Sequence, residues 1–285
     1  VFPTTPLPEL RLITVAGRDA QAFLQGQLTQ DTAQASAART CLAGWAEPKG
    51  RLLWVGHLVR LAADDAAPFG LFVPASLAED LVRHLRRYVL RAKAAVALHD
   101  GPIAGVDAGA EPVPGCSDFR LAGDAHRALR IGDAVTAVAN DAEATAWELA
   151  DIRAGLPVIG PATSGEFIPQ MVNLDVLAGV SFTKGCYPGQ EIVARTRYLG
   201  RVKRRMFRFS AAGHPPAPGS PVYGPRGTAG QVVRAAPLPA GGTELLAVIV
   251  LDELAGPLSL DAAGQVGLGQ LALPYAVPEL PPDPG

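Results

Sequence analysis

Lys184-Gly185-Cys186-Tyr187-Pro188-Gly189-Gln190-Glu191 gathers an amine, a thiol, a phenol, an amide and a carboxylate around glycine and proline. Within it, residues 187–190 read as a type II turn. Pro188 presets φ at the second position and Gly189 supplies the positive φ needed at the third. The chain therefore reverses just after Cys186. Gly185 removes side-chain bulk beside the thiol, which suits an accessible loop. Lys184, two residues from Cys186, favours the reactive thiolate if its ammonium folds over the sulfur. The competing reading is a small cysteine that only fills space in the core.

A second concentration of chemistry follows directly. Arg195, Arg197, Arg201, Lys203, Arg204, Arg205 and Arg208 form a cationic stretch unlike the rest of the chain. On an alternating strand Lys203 and Arg205 share one face while Arg204 and Arg208 share the other, so no single charged stripe results without twist or an edge position. Three readings stand side by side: a sheet edge protected by charge, an RNA surface tracking phosphates, and a site for the carboxylates of an acidic small molecule. His57, with no second histidine or paired acid at ligand spacing, reads as a core or edge histidine.

The elements that must position these groups come from the wider pattern. Residues 10–15 alternate as a strand, and a helix opens near Asp19. A turn at Lys49-Gly50-Arg51 leads into a strand over 52–61, and 69–74 forms another. Ser76 and Glu79 make a capping box for a helix reaching about residue 90, with Leu77, Leu81, Leu85 and Tyr88 as its buried stripe. Strands are expected over 104–106, 126–131 and 134–139, then a third helix capped by Asp141 and stopped at Gly155. Residues 161–173 form a long aperiodic connection of the kind that often carries function. From about residue 201 short β segments at 201–209, 221–223, 230–235, 244–251 and 264–273 alternate with Gly/Pro turns and read as a small β-barrel.

Composition narrows the classes. The chain has 285 residues and a formal net charge of -2, so no global field selects nucleic acid or anionic membrane, and any such contact is local. Cys41, Cys116 and Cys186 make no CxxC pair, which points away from a disulfide framework or zinc site and towards a reducing cytoplasm. The longest apolar run, 245–251, is far short of the ~20 residues that span a bilayer. GxGxxG, GxxxxGK[ST] and GxSxG are absent, so no dinucleotide, P-loop or serine-hydrolase site is indicated. Strands that alternate with only three good helices argue for an α+β fold.

Residues 184–191 resemble the K-G-C-Y-x-G-Q-E signature of the YgfZ family of folate-binding proteins, relatives of the glycine cleavage T-protein aminomethyltransferase. The resemblance extends through Asp151-Ile152-Arg153-Ala154-Gly155-Leu156-Pro157, Glu166-Phe167-Ile168-Pro169-Gln170, Asn173-Leu174 and Gly26-Gln27-Leu28-Thr29-Gln30-Asp31. It implies a T-protein-like folate-binding body over 1–200, in two subdomains, a C-terminal β-barrel over 201–277 and a tail over 278–285. It further implies bound tetrahydrofolate and a role in assembling or repairing iron-sulfur clusters in client proteins, including tRNA-modifying enzymes. The residue carried over as the acting group is Cys186, tuned by Lys184. Gly185, Tyr187, Gly189, Gln190, Glu191 and Arg195 shape its surroundings. On this reading the turn presents the thiol towards the folate cavity, and the Arg195–Arg208 stretch touches tRNA weakly.

One departure bears on the reaction. T-protein relatives carry an acidic residue on the strand after the KGR-like turn, whereas Leu52-Leu53-Trp54-Val55-Gly56-His57-Leu58-Val59 has no carboxylate. An apolar Trp54-Val55 pair cannot take a proton. Aminomethyl transfer is therefore the second reading, and a non-enzymatic RNA-binding module the third.

Overall fold

The protein is described as a computed structural model over residues 4–64, 66–135, 140–198 and 200–278. In chain order it runs β1 (Thr5–Pro6), β2 (Leu10–Ala16), α1 (Ala20–Gln25), β3 (Cys41–Ala46), β4 (Leu52–Arg60), β5 (Phe69–Pro74), α2 (Ala75–Val89) and β6 (Ala95–His99). Then follow β7 (Ile103–Asp107), β8 (Cys116–Leu121), β9 (Asp124–Gly132), α3 (Asp141–Arg153) and α4 (Gln190–Tyr198). The last part holds β10 (Arg204–Ala211), β11 (Pro221–Gly224), β12 (Gly227–Pro237), β13 (Thr243–Val250) and β14 (Leu268–Leu271). The fold is α+β, built on three antiparallel sheets in the orders β3-β4-β5-β2-β6, β1-β7-β9-β8 and β11-β12-β13-β10-β14.

Strand alternation decides what each sheet buries. In β2, Ile13 and Val15 join one core with Leu77, Leu81 and Leu85 of α2, while Leu12 joins another with Phe119, Leu129 and Trp147. The first sheet is thus covered by α2 on one side and by the second sheet on the other. A third core links Leu42, Leu52 and Val55 of the first sheet to Leu149 and Ile152 of α3 and to Met206, Leu246 and Val248 of the third sheet. In β13, Leu245, Ala247 and Ile249 point into the core of the third sheet, whereas Leu246 and Val248 face α3. Burial on both faces explains why this stretch is the longest apolar run in the chain.

The third sheet curls. Tyr223 of β11 exchanges two backbone hydrogen bonds with Ser259, and Leu268 at the start of β14 donates to Leu258, so residues 258–260 bridge the two edge strands. Irregular registers at Val222/Tyr223 and Val232/Arg234 supply the local bending.

Several local expectations give way to tertiary structure. No capping box forms at Ser76, because β5 runs straight into α2 and Pro74 occupies the cap position. Tyr88 is 43% exposed rather than buried, lying past the end of the Leu77–Leu81–Leu85 stripe. Asn140, not Asp141, caps α3 by accepting from Ala142 N, and Asp141 stands in the first turn, where a negative charge suits the helix dipole. Of the strand expected over 134–139, residues 134 and 135 are not in a strand and the rest lie outside the described residues, as does all but Pro278 of the expected tail.

The arginine stretch does not form one surface. Residues 201 and 203 precede β10, Arg205 is buried, and Arg208 pairs with Glu244. Arg205 holds Asp175 at 2.6 Å and donates to the carbonyl of Gln170, tying β10 to the connection before α4. Arg205→Met leaves a mostly buried carboxylate without its partner, so a loss of about 3–5 kcal/mol is expected. Urea unfolding of the variant measures it, and an unchanged midpoint contradicts this role.

Candidate functional site

Two separate places carry chemistry, the turn around Cys186 and a cavity between the three sheets. At the turn, Gly189 has φ +79° and Gln190 N donates to Tyr187 O, the geometry expected of a type II turn. A Cβ on Gly189 would lie 2.5 Å from Glu47 O and 2.6 Å from Gly50 Cα. The turn therefore packs backbone to backbone on the Lys49-Gly50-Arg51 turn, and α4 starts directly from it. Gly185 differs, because a Cβ there meets open space.

Cys186 is exposed, Tyr187 is buried and Lys184 turns inward. Lys184 Nζ donates to Leu28 O at 2.7 Å and to Gln30 O at 3.0 Å, and lies 5.2 Å from the Tyr187 ring centroid. Burial lowers its pKa to about 8 against the opposing pull of Asp31. Burial likewise raises the Tyr187 phenol to about 12. The described partners of the Lys184 ammonium are thus two carbonyls and a ring, and the lysine fastens the turn to residues 28–30. Thr29 Oγ1 adds a bond to Gly179 O, Ser181 N donates to Thr29 O, and Gln30 Nε2 reaches Ala178 O. Further on, Gln170 Nε2 donates to Val193 O of α4, and Asn173, with φ +58°, donates to Met206 O. Residues 28–30 and 47–50 thereby meet at one short turn, while Gln170 and Asn173 tie the connection before it to α4 and β10. Gln190, Glu191 and Arg195 follow on α4, with Glu191 and Arg195 exposed.

The cavity, about 310 Å³, is lined by Leu42, Val55, His57, Phe72, Leu129, Trp147, Glu148, Asp151 and Arg234 among others, with exposed Glu9 and Pro218 at its rim. None of residues 184–191 lines it, so the thiol does not face the cavity as expected. Its charged wall is a network of two buried arginines and partly buried carboxylates. Asp151 accepts from Arg127 of β9 at 2.7 Å and from Arg234 of β12 at 3.1 Å, and Glu148 receives two bonds from Arg234 at 2.8 and 2.6 Å. Arg127 also pairs with Asp124 at 2.7 Å and lies over the Trp147 ring at 4.4 Å. Burial alone would raise the Asp151 pKa, but Arg234 and Arg127 outweigh it and hold the carboxyl below its ordinary range.

His57, read from the sequence as a core or edge histidine, lies on the internal strand β4 and faces the cavity. Its Nδ1 lies 2.9 Å from Thr40 Oγ1, which already accepts from Ala122 N. The arrangement using all these groups has Thr40 donate to Nδ1 and leaves the ring proton on Nε2. Burial pushes the imidazole down to about 4, with Asp151 opposing and Arg127 and Arg234 assisting. Asp151 and Gly155 stand in segments already notable in the sequence. Arg234, some eighty residues later, carries no local signal, and only the fold brings it to Asp151.

Comparison with known proteins fixes the family. No family model matches the chain. The tRNA-modifying protein YgfZ of Klebsiella pneumoniae is 33% identical over 234 residues, covering 72% of this chain and 70% of that one. The chain belongs to the YgfZ family. A YgfZ protein of Sodalis glossinidius is 31% identical, with 96% of this chain and 93% of the relative covered. Among solved structures, the glycine cleavage system aminomethyltransferase T of Bartonella henselae superposes with a TM-score of 0.73 at 15% identity, over 96% of this chain and 86% of that one. The YgfZ-family chain thus has the T-protein fold.

Two measurements check the site's physics. Gly189→Ala forces a Cβ into a left-handed position against the Glu47 carbonyl, so a loss of at least about 2 kcal/mol is expected, while Gly185→Ala stays within about 0.5 kcal/mol. Equal unfolding midpoints for the two variants contradict this. For His57, the unfolded chain takes up a proton near pH 6.5 that the folded chain refuses until about 4. Stability therefore falls as pH drops through that window, by up to about 1.4 kcal/mol per pH unit. His57→Gln abolishes this component, and a difference between wild type and variant that is flat across the window refutes it.

Proposed function

We propose that this YgfZ-family chain binds tetrahydrofolate in the 310 Å³ cavity and supports iron-sulfur enzymes that modify tRNA, acting through Cys186. The observation that carries the folate part is the cavity's composition: apolar and aromatic walls from Leu42, Val55, Phe72 and Trp147 beside the carboxylates of Glu148 and Asp151. Ligand cavities hold about 300–1,000 Å³. A volume at the low end suits a flat bicyclic ring inside and the rest of the molecule beyond the rim.

The residues present fit such a ring. Asp151 stays ionised through its arginines, and each carboxylate oxygen of Glu148 keeps lone pairs for ring N–H donors. Glu148 is also the most accessible member of the network, at 34% for its side chain. Phe72 and Trp147 exclude water from the ring faces. Bound tetrahydrofolate would supply a nitrogen-centred carrier for one-carbon units.

Asp151, with its pKa depressed by two arginines, is a poor proton acceptor, and β4 carries no carboxylate. Both facts favour an accessory role over aminomethyl transfer. The thiol lies outside the cavity on an exposed turn, where a client protein can reach it. One thiolate leaves the remaining ligands of a cluster to the client, since such clusters are held by about four.

Calorimetric titration with tetrahydrofolate tests the first part. Wild type and Cys186→Ala are expected to bind equally, and Glu148→Gln about tenfold more weakly, as loss of a charged acceptor implies. Absence of binding by the wild type overturns the folate reading. The second part is tested in cells lacking the wild-type protein. There Cys186→Ala is expected not to restore cluster-dependent tRNA modification, and full restoration removes the thiol's role.

A further inference from the structure

Arg201 aside, folding splits the cations of residues 195–208 into two populations. Arg205 and Arg208 are taken up by Asp175 and Glu244. Arg195, Arg197, Lys203 and Arg204 are exposed and, among the described residues, make no ion pair. Glu191, at the start of α4, is the exposed carboxylate on the same helix. The balance of this surface is therefore strongly positive on a chain whose total charge is close to neutral.

Aromatic rings stand among these cations. The Arg197 guanidinium lies 4.1 Å from the Phe182 ring centroid and 5.9 Å from that of Tyr198. The two rings are 6.3 Å apart and inclined at 75°. Tyr198 is 66% exposed and Ile192 37%, both on α4. Tyr198 thus keeps most of its surface open to solvent beside a guanidinium held by a second ring, and an amphipathic ring so placed offers a face on which a planar partner can stack.

Uncompensated cations call for a polyanion, and an exposed ring calls for a flat π system. Single-stranded nucleic acid supplies both, since phosphates follow the charges and every base offers a face for stacking. An acidic protein segment would satisfy the charges but leave the ring without a planar partner. Duplex RNA would leave the ring idle as well, because its bases are stacked within the helix.

We propose that the C-terminal end of α4, together with Phe182 and residues 200–204, docks single-stranded RNA. An unpaired base stacks on Tyr198, and Arg195, Arg197, Lys203 and Arg204 neutralise neighbouring phosphates. The choice of RNA rests on the tRNA part of the proposed function, whereas the folate cavity and the thiol play no part in it. Phe182 lies four residues before Cys186, so an RNA held here is brought beside the exposed thiol.

Fluorescence anisotropy with a labelled single-stranded RNA of roughly a dozen nucleotides, and with the same sequence as a duplex, tests the proposal across about 50–300 mM KCl. For the single strand, log K is expected to fall with log salt at a slope of about -3, as four neutralised phosphates imply, and Lys203→Ala reduces that slope by about 0.7. Tyr198→Ala weakens binding by about fivefold to a hundredfold, and Tyr198→Trp retains it. No binding at the lowest salt, equal affinity for the duplex, or an unchanged affinity in Tyr198→Ala overturns the platform. Calorimetry with tetrahydrofolate on the same preparations keeps the two ideas apart: folate binding without RNA binding overturns only the platform, and RNA binding without folate binding overturns only the folate reading.

Discussion

Asp151 is held between two arginines that belong to different sheets, and the arrangement of the molecule depends on that contact. Arg127 comes from the second sheet and Arg234 from the third, while Asp151 and Glu148 project from α3 between them. A buried ion pair adds little net stability, because desolvation offsets most of its attraction. What it does not tolerate is the loss of one partner. The network therefore acts as a positional constraint: α3 has one depth and one rotation at which both arginines are satisfied. That placement sets the charged wall of the cavity and puts the Asp151 carboxylate where it opposes the loss of proton affinity that burial imposes on the nearby His57 imidazole.

The second constraint is the contact between two glycine turns. Gly189 approaches Gly50 and the Glu47 carbonyl so closely that no side chain fits, and Lys184 fastens the same turn to the backbone of residues 28–30. These contacts leave Cys186 on the outside with Tyr187 inside. The thiol and the cavity are consequently different sites on one scaffold. Under the proposed function, a cofactor in the interior and a macromolecule at the surface have no need to touch.

Much of this was legible in the residues. The turn at Pro188-Gly189 is dictated by local φ preferences, and the alternation in β2 and β4 and the Gly/Pro spacing after residue 201 foretold strands and a curled C-terminal sheet. Where local reading failed, a neighbour had intervened. Pro74 ends β5 and occupies the position that a capping box at Ser76 required. Tyr88 kept helical spacing with the buried stripe but meets the edge strand β3, through the Trp45 ring, and stays 43% exposed. The seven cations between residues 195 and 208 looked alike in sequence, yet two became internal struts because Asp175 and Glu244 happen to face them.

The sequence by itself determined the family signature, the reversal after Cys186, the α+β class and the absence of a carboxylate on β4, because each depends on residues near one another in the chain. Only the tertiary structure decided where the thiol points, which arginines remain free to meet a partner, and that His57, Glu148, Asp151 and Arg234 share a cavity wall. Those facts depend on groups separated by up to nearly two hundred residues, and their burial and charge are set by neighbours that no local pattern specifies.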